Sequence, residues 1–195
     1  MKQNDKKQLT SSQEKKKICA ESGVIVAVAL LLCYFFGFSY VYNTEYGVEA
    51  GVNGWNYIFA CFSWTFKSSA SIYGDGLAVP FNYYAKYFVR ILSIATATSF
   101  VVILAFTVLT VLNIVKFNKK IEIASMIILY VIAFIFLVCI VTALAMNGSD
   151  ILPIYCSGNP KCSIATLTFI PFFVSLIAAI SHSVFIRKSL PTLDD

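Results

Sequence analysis

Charged side chains are missing from four long apolar stretches of this 195-residue chain. The stretches cover residues 23–42, 91–115, 123–146 and 163–186, and none of them holds Asp, Glu, Lys or Arg. About 20 consecutive apolar residues suffice for a helix to cross the hydrocarbon core of a bilayer. In lipid each helix must satisfy its own backbone hydrogen bonds. The pattern therefore predicts an all-α integral membrane protein, built as a four-helix transmembrane bundle.

Motifs that carry chemistry are also lacking. The chain has no C-x-x-C, H-E-x-x-H or G-x-S-x-G sequence, and its single histidine is His182, between Ser181 and Ser183. We interpret His182 as an interfacial residue one turn from the end of the fourth span. The chain is expected to be non-enzymatic. A lipid-modifying membrane enzyme using His182 and its neighbouring serines is the third hypothesis, behind two others given below.

Acids and bases are nearly absent from the predicted spans. Proton- and cation-coupled carriers usually place ionisable side chains there, so the pattern disfavours that class. Glu122 precedes the third span, where a carboxylate favours the positive end of the helix dipole. We assign no metal and no cofactor, because no group of ligand-type residues has a metal-binding spacing.

The basic residues are distributed unevenly about the spans. Residues 1–22, the inner loop 116–122 and the end 187–195 together hold 11 of the 15 Lys and Arg. The positive-inside rule places these segments in the cytoplasm. Both termini are thus predicted to be cytoplasmic in a multi-pass cell-membrane protein, and residues 1–22 to form a disordered tail. The net charge of +5 is explained by this asymmetry, so we expect no nucleic-acid partner.

The outer loop 43–90 is the longest predicted segment outside the spans, with a second outer loop at 147–162. The aromatic side chains of loop 43–90 predict a structured extracytoplasmic loop between the first two spans. Spacings of four, three and four residues place several of them on one helical face. The candidate partner-binding residues are Trp55, Phe59, Phe62, Trp64 and Phe66. The expected partners are the lipid bilayer and another membrane protein, or a second copy of this chain.

Span two carries a row of small hydroxylated side chains at helical spacing. Such residues let helices approach closely in lipid. The candidate helix-packing face consists of Thr96, Ser99, Thr107 and Thr110. A hydrophilic lining for a solute pathway is the alternative interpretation of this row. In span four, Pro171 lies about a third of the way along the predicted helix, where it is expected to cause a kink.

Six cysteines occur in the chain. Cys156 and Cys162 share the second outer loop, in the sequence CSGNPKC, and form the candidate disulfide. An oxidising face favours such a bond.

The order of four spans, internal termini and a longer first outer loop resembles that of claudin-like tetraspan proteins. The resemblance covers topology alone, because Gly54-Trp55 and Cys61 do not make the tryptophan and paired-cysteine pattern of that loop. No family is assigned. The leading hypothesis is an accessory or scaffolding subunit of a membrane complex, and the alternative is a transport or channel subunit for a small solute.

Overall fold

A computed structural model of the chain describes residues 2–35, 37–43, 49–62, 83–116, 118–146, 162–164 and 169–189. Its elements in chain order are α1 (Lys2–Leu32), β1 (Gly37–Asn43), β2 (Glu49–Asn53), α2 (Gly54–Phe62), α3 (Tyr83–Val115), α4 (Lys119–Met146), β3 (Cys162–Ile164) and α5 (Ile170–Ser189). A short 3-10 turn, Cys33–Phe35, follows α1.

Four of the helices are long and apolar enough to span a membrane, in agreement with the predicted number of spans. The qualifying segments are Lys17–Phe35, Arg90–Val115, Lys119–Ala145 and Ile170–Arg187. The second and third match the predicted ranges closely. The first begins earlier and ends earlier than residues 23–42, and the fourth begins later than residue 163.

The N-terminal segment differs from its prediction. Residues 1–22 were expected to form a disordered tail, but α1 begins at Lys2 and continues without a break into the first span. Cys19 and Ala20, within the predicted tail, are buried against the other helices. Packing of Cys19 and Ala20 favours the helix in this last part of the segment, because tertiary contacts contribute most helical stability.

In addition to the predicted helices, the structure has a small sheet at one end of the bundle. Its strand order is β2-β1-β3, with both pairs antiparallel. Val41 pairs with Gly51 on one side and with Ser163 on the other. The sequence at β1 is GFSYVYN, and β-branched and aromatic residues favour strands. This end of the molecule is called the sheet end below, and the opposite end the tail end.

Pro171 does not kink a helix. Because α5 begins at Ile170, the proline occupies the first turn of the helix rather than its interior. The missing amide hydrogen has no intrahelical acceptor at that position, so proline is tolerated there. The predicted kink was wrong because span four was expected to begin at residue 163, where the structure has the strand β3.

The four long helices close into a ring in which neighbours contact each other: α1 with α3, α3 with α4, α4 with α5, and α5 with α1. Its core consists mainly of apolar side chains contributed by all four helices. Large side chains on the outside of the ring, such as Phe134 and Ile177, are exposed. An apolar exterior is the surface that a lipid environment favours.

Buried polar side chains in the described residues form two groups at opposite ends of the bundle. The group at the sheet end consists of Ser93, Thr96, Ser99, Thr142 and Ser175, and the group at the tail end of Thr110, Asn113, Glu122, Ser125 and His182. Between them lies a layer of fully buried apolar side chains, here called the apolar layer: Leu30, Ile103, Phe106, Leu129, Ile132 and Phe136. On α3, Ser99 and Thr110 are separated by about 16 Å of helix.

At the sheet end, α2 is attached to the bundle through aromatic side chains. The ring of Trp55 lies 5.1 Å from that of Phe100 on α3 and 5.5 Å from that of Phe35, both in edge-to-face geometry. Tyr34 packs beside them, with its ring 5.4 Å from Phe100. The hydroxyls of Tyr34 and Ser99 share a hydrogen bond. The Ser99 hydroxyl also lies within donating distance, 2.8 Å, of the Thr96 carbonyl oxygen.

Replacing Gly54 with alanine is expected to loosen this attachment. A Cβ at Gly54 would lie 2.7 Å from Cδ1 and 3.1 Å from Cα of Tyr34. The backbone atom cannot move aside as a flexible side chain can, so we expect a loss of about 1–3 kcal/mol. Thermal unfolding in detergent, followed by helicity, measures this loss. Phe59→Ala, at an exposed site on the same helix, is the control and should leave the midpoint unchanged.

Candidate functional site

Four polar side chains from different helices meet at the tail end of the bundle. They are Cys19 of α1, Asn113 of α3, Glu122 of α4 and His182 of α5, and they are called the Glu122 cluster below. All four are buried, and Glu122 is only 1% exposed. The site therefore lies where the four span-length helices converge.

Both carboxylate oxygens of Glu122 have close partners. Oε2 accepts a hydrogen bond of 2.6 Å from the side-chain amide of Asn113. Oε1 accepts one of 3.0 Å from the thiol of Cys19 and lies 2.7 Å from Nδ1 of His182. An unpaired buried carboxylate is very costly, so these three partners are what allows Glu122 to lie inside the bundle.

The link between α3 and α4 positions two members of the cluster. Asn118 precedes α4, and its Oδ1 accepts a hydrogen bond of 2.9 Å from the amide of Lys120, as an N-cap residue does. The amide of Asn118 donates to Oδ1 of Asn113 at 3.2 Å. This arrangement orients the Asn113 amide toward Glu122, which lies in the first turn of α4. A carboxylate is favoured there by the helix dipole.

His182 is buried rather than interfacial, so the earlier interpretation of this residue was wrong. Its side chain is about as enclosed as the apolar core, with the whole residue 4% exposed. Neither ring nitrogen makes a hydrogen bond of normal geometry with the described residues, although Nδ1 lies at ion-pair distance from Glu122. Most buried polar atoms make such a hydrogen bond, so the His182 ring keeps unused hydrogen-bonding capacity in addition to its contact with Glu122.

Gly23 brings α1 close enough to complete the cluster. A Cβ at this position would lie 2.8 Å from Cγ2 of Thr110 on α3 and 3.9 Å from Cε1 of His182 on α5. The absence of a side chain thus allows three helices to approach one another. Cys19 lies one turn before Gly23 on α1, which is how its thiol reaches Glu122.

The chemistry available to the cluster follows from its side chains. A thiol, a carboxylate and an imidazole can each hold or release a proton, and each can bind a metal ion. The ligand atoms of Cys19, Glu122 and His182 all lie within 4.8 Å of one another. Ionisable groups inside a bundle of span-length helices are expensive to bury and usually functional.

The candidate partner-binding residues are divided by the structure. Trp55 is half-buried and packs on the bundle, whereas Phe59 on the same helix is 67% exposed. Side-chain contacts of Phe62, and all of Trp64 and Phe66, lie outside the described residues. Of the candidate residues whose side chains the structure describes, only Phe59 is therefore exposed enough to contact a partner.

The candidate helix-packing face lies inside the bundle. Thr96, Ser99 and Thr110 are buried, and Thr107 is half-buried. Two of these hydroxyls donate hydrogen bonds to backbone carbonyl oxygens of their own helix. Thr107 donates to Ile103 and Thr110 donates to Thr107, each at 2.8 Å.

The candidate disulfide lies outside the described residues, since Cys156 and the side chain of Cys162 are not part of them. Cys162 belongs to β3 by its backbone, where it pairs with Tyr42. Among the cysteines that the structure describes fully, Cys19, Cys33, Cys61 and Cys139 are all free thiols.

Sequence reasoning missed the Glu122 cluster because its members are far apart in the chain. Cys19 and Glu122 are separated by 103 residues, and Cys19 was assigned to the tail. Each residue also had a sufficient separate explanation, such as the helix dipole for Glu122. One signal was available in the sequence. Cys19, Glu122 and His182 lie at chain positions that antiparallel spans bring to the same end of a bundle.

Comparison with known proteins assigns no relative: no protein family, curated protein or solved structure matches the chain.

Proposed function

We propose that the protein is a non-enzymatic multi-pass membrane protein that acts as an accessory or scaffolding subunit of a membrane complex. The apolar layer supports this role. It separates the two buried polar groups with fully enclosed leucine, isoleucine and phenylalanine side chains, and such a constriction excludes water and ions. A single bundle of this kind is suited to holding other proteins rather than to conducting a solute.

The proposed orientation places the tail end of the bundle at the cytoplasm of a cell membrane. Basic residues flank this end, at Lys17 on α1, at Lys119 and Lys120 on α4 and at Arg187 on α5. Retention of Lys and Arg on the cytoplasmic side supports the assignment. The sheet end, with α2 and the candidate disulfide, is then extracytoplasmic.

The proposed contact with a partner is made by the exposed side of α2. Phe59 projects from this helix, while Trp55, Tyr57 and Ile58 attach it to the bundle. A large apolar side chain on a short helix outside the spans matches the aromatic anchors of protein interfaces. The partner of matching chemistry is an apolar surface of another membrane protein next to the outer face of the bilayer.

A transport or channel role remains the second candidate, and the Glu122 cluster favours it. Buried acids and bases in membrane bundles often mark proton or ion routes. In this case the apolar layer would have to open, or the pathway would run between subunits. Reconstitution of the pure protein into liposomes, with proton and cation flux as the readout, separates this role from the scaffolding role.

Replacing Phe59 with alanine is expected to release the partner without unfolding the protein. The tagged protein is purified in gentle detergent, and native mass spectrometry measures the fraction of chains bound to a second membrane protein. An aromatic anchor contributes about 2 kcal/mol or more to an interface, so most of the complex should be lost. Thermal unfolding should remain unchanged, because Phe59 is exposed.

The matched control is Phe134→Ala, which removes an equally large exposed side chain from α4 within a span. It should keep the complex. A lone monomer in the wild-type preparation would count against the scaffolding role, as would a complex that Phe59→Ala leaves at full occupancy. Ion flux through liposomes holding only the pure protein would favour the second candidate.

A further inference from the structure

We propose that Cys19, Glu122 and His182 form a binding site for one divalent transition-metal ion of zinc-like chemistry. The proposal is independent of the scaffolding role. It rests on three side chains of the types that bind zinc, carried on three helices to one buried point. Thiolate, imidazole and carboxylate together are characteristic of Zn²⁺ sites.

The spacing of the ligand atoms fits such an ion with small side-chain rotations. In a tetrahedral zinc site, neighbouring oxygen, nitrogen and sulfur ligands lie about 3.3–3.7 Å apart, given metal–ligand bonds of about 2.0–2.3 Å. In the structure Oε1 of Glu122 lies 3.0 Å from the sulfur of Cys19 and 2.7 Å from Nδ1 of His182. Binding therefore requires these two contacts to open by about half an ångström.

The unused capacity of His182 is an independent observation. The residue is 4% exposed, yet neither ring nitrogen makes a hydrogen bond of normal geometry with the described residues. A buried polar atom without a hydrogen-bond partner requires an explanation, and a bound ion is one of the recognised explanations. A metal ion bound by one ring nitrogen of His182, together with the thiol and the carboxylate, would supply that nitrogen's missing interaction.

Asn113 would orient the carboxylate from outside the ligand set. Its amide donates to Oε2 of Glu122 at 2.6 Å, leaving Oε1 directed toward Cys19 and His182. Partners of this kind fix the orientation of ligands and tune metal affinity. With three protein ligands, the fourth coordination position is open to water.

The charges balance in a low-dielectric interior. Binding of Zn²⁺ forms bonds to the Cys19 thiolate, the neutral His182 imidazole and the Glu122 carboxylate. It releases the thiol proton of Cys19 to solvent, together with any second proton that the imidazole carries. The complex of two anionic ligands and one dication is neutral, so the site does not leave a bare charge in the bundle.

Metal titration of the full-length protein tests the proposal. The protein carries a histidine-free affinity tag, is purified in detergent micelles and is stripped with a chelator. Co²⁺ is then added as a spectroscopic substitute for Zn²⁺. We expect one Co²⁺ per chain, a near-ultraviolet band from thiolate-to-cobalt charge transfer, and visible bands of tetrahedral intensity. Zn²⁺ should displace the cobalt, and Mg²⁺, which prefers oxygen ligands, should not.

Substitutions assign the ligands. Cys19→Ser should abolish the thiolate band. Loss of a residue that only hydrogen-bonds to a ligand typically weakens metal binding by roughly 10–100-fold. His182→Gln should weaken binding by more than this, and Asn113→Ala should weaken it by an amount within this range. Cys33→Ser is the control, since it removes a half-buried thiol from the turn that follows the same helix, and it should leave the titration unchanged.

The Zn²⁺-dependent shift of the thermal midpoint is a second readout, and it does not require the variants to be equally stable. Zn²⁺ should raise the thermal midpoint of the wild-type and Cys33→Ser proteins, because a ligand that binds only the folded state stabilises it. The proposal is overturned if the wild-type protein shows no thiolate–cobalt band at micromolar metal. It is also overturned if the band and the Zn²⁺-dependent midpoint shift persist in Cys19→Ser.

Discussion

Replacing Glu122 with alanine should destabilise the bundle more than any other single change at the tail end. The carboxylate accepts hydrogen bonds from Asn113 and Cys19 and lies 2.7 Å from Nδ1 of His182. Its removal leaves these polar groups buried without a partner. A buried polar group left unsatisfied costs about 1–3 kcal/mol, so we expect a total loss of about 3–5 kcal/mol from the three partners. Reversible unfolding in mixed micelles, followed by helicity and carried out with chelator present, measures the loss in the metal-free protein.

The control is Glu21→Ala on α1, two residues after Cys19. Glu21 is exposed and forms a 3.8 Å ion pair with Lys17, and such surface pairs contribute about 0–1 kcal/mol. If Glu122→Ala costs no more than Glu21→Ala, the carboxylate is not held as the structure describes. In a double-mutant cycle with His182→Ala, the double variant should cost less than the sum of the two single variants.

Replacing Gly23 with leucine should separate α1 from α3. A Cβ at Gly23 would lie 2.8 Å from Cγ2 of Thr110. Thr110 cannot easily rotate away, since it is β-branched and its hydroxyl bonds to the carbonyl of Thr107 at 2.8 Å. Overpacking of this kind costs about 3 kcal/mol. The measurement is the same unfolding assay, with Val28→Leu, at an exposed site on α1, as the control.

A second substitution at Thr110 tests whether the loss comes from the contact between Gly23 and Thr110 rather than from a general effect of changing Gly23. Gly23→Ala alone should lower stability, even though alanine favours a helix by about 1 kcal/mol over glycine. Adding Thr110→Ser removes the clashing methyl group and keeps the hydroxyl. The double variant should recover the stability and exceed the wild type, because the helix-propensity gain is then unopposed. A double variant less stable than Gly23→Ala would contradict the observed approach of α1 to α3.

The number of span-length helices could be predicted from the sequence because it depends only on local composition. An apolar, uncharged stretch of about 20 residues is long enough to cross a bilayer as a helix. The described part of the chain contains four helices that are long and apolar enough. Their ends were less predictable. Pro171 and the residues before it were assigned to a helix, whereas the chain pairs β3 with β1 before α5 begins. Strand pairing between segments more than 100 residues apart is invisible to local patterns.

Local sequence was enough to predict four apolar helices, a basic tail end and a hydroxylated face on α3, because each is a property of neighbouring residues. The fold was needed to show that four distant residues form one site: Cys19, Asn113, Glu122 and His182. Their meeting depends on the antiparallel order of four helices and on the missing side chain at Gly23. A carboxylate at a helix start and a lone histidine each have an ordinary local explanation. Burial at hydrogen-bonding distance makes them a single interacting group, since charges interact strongly only where water is excluded.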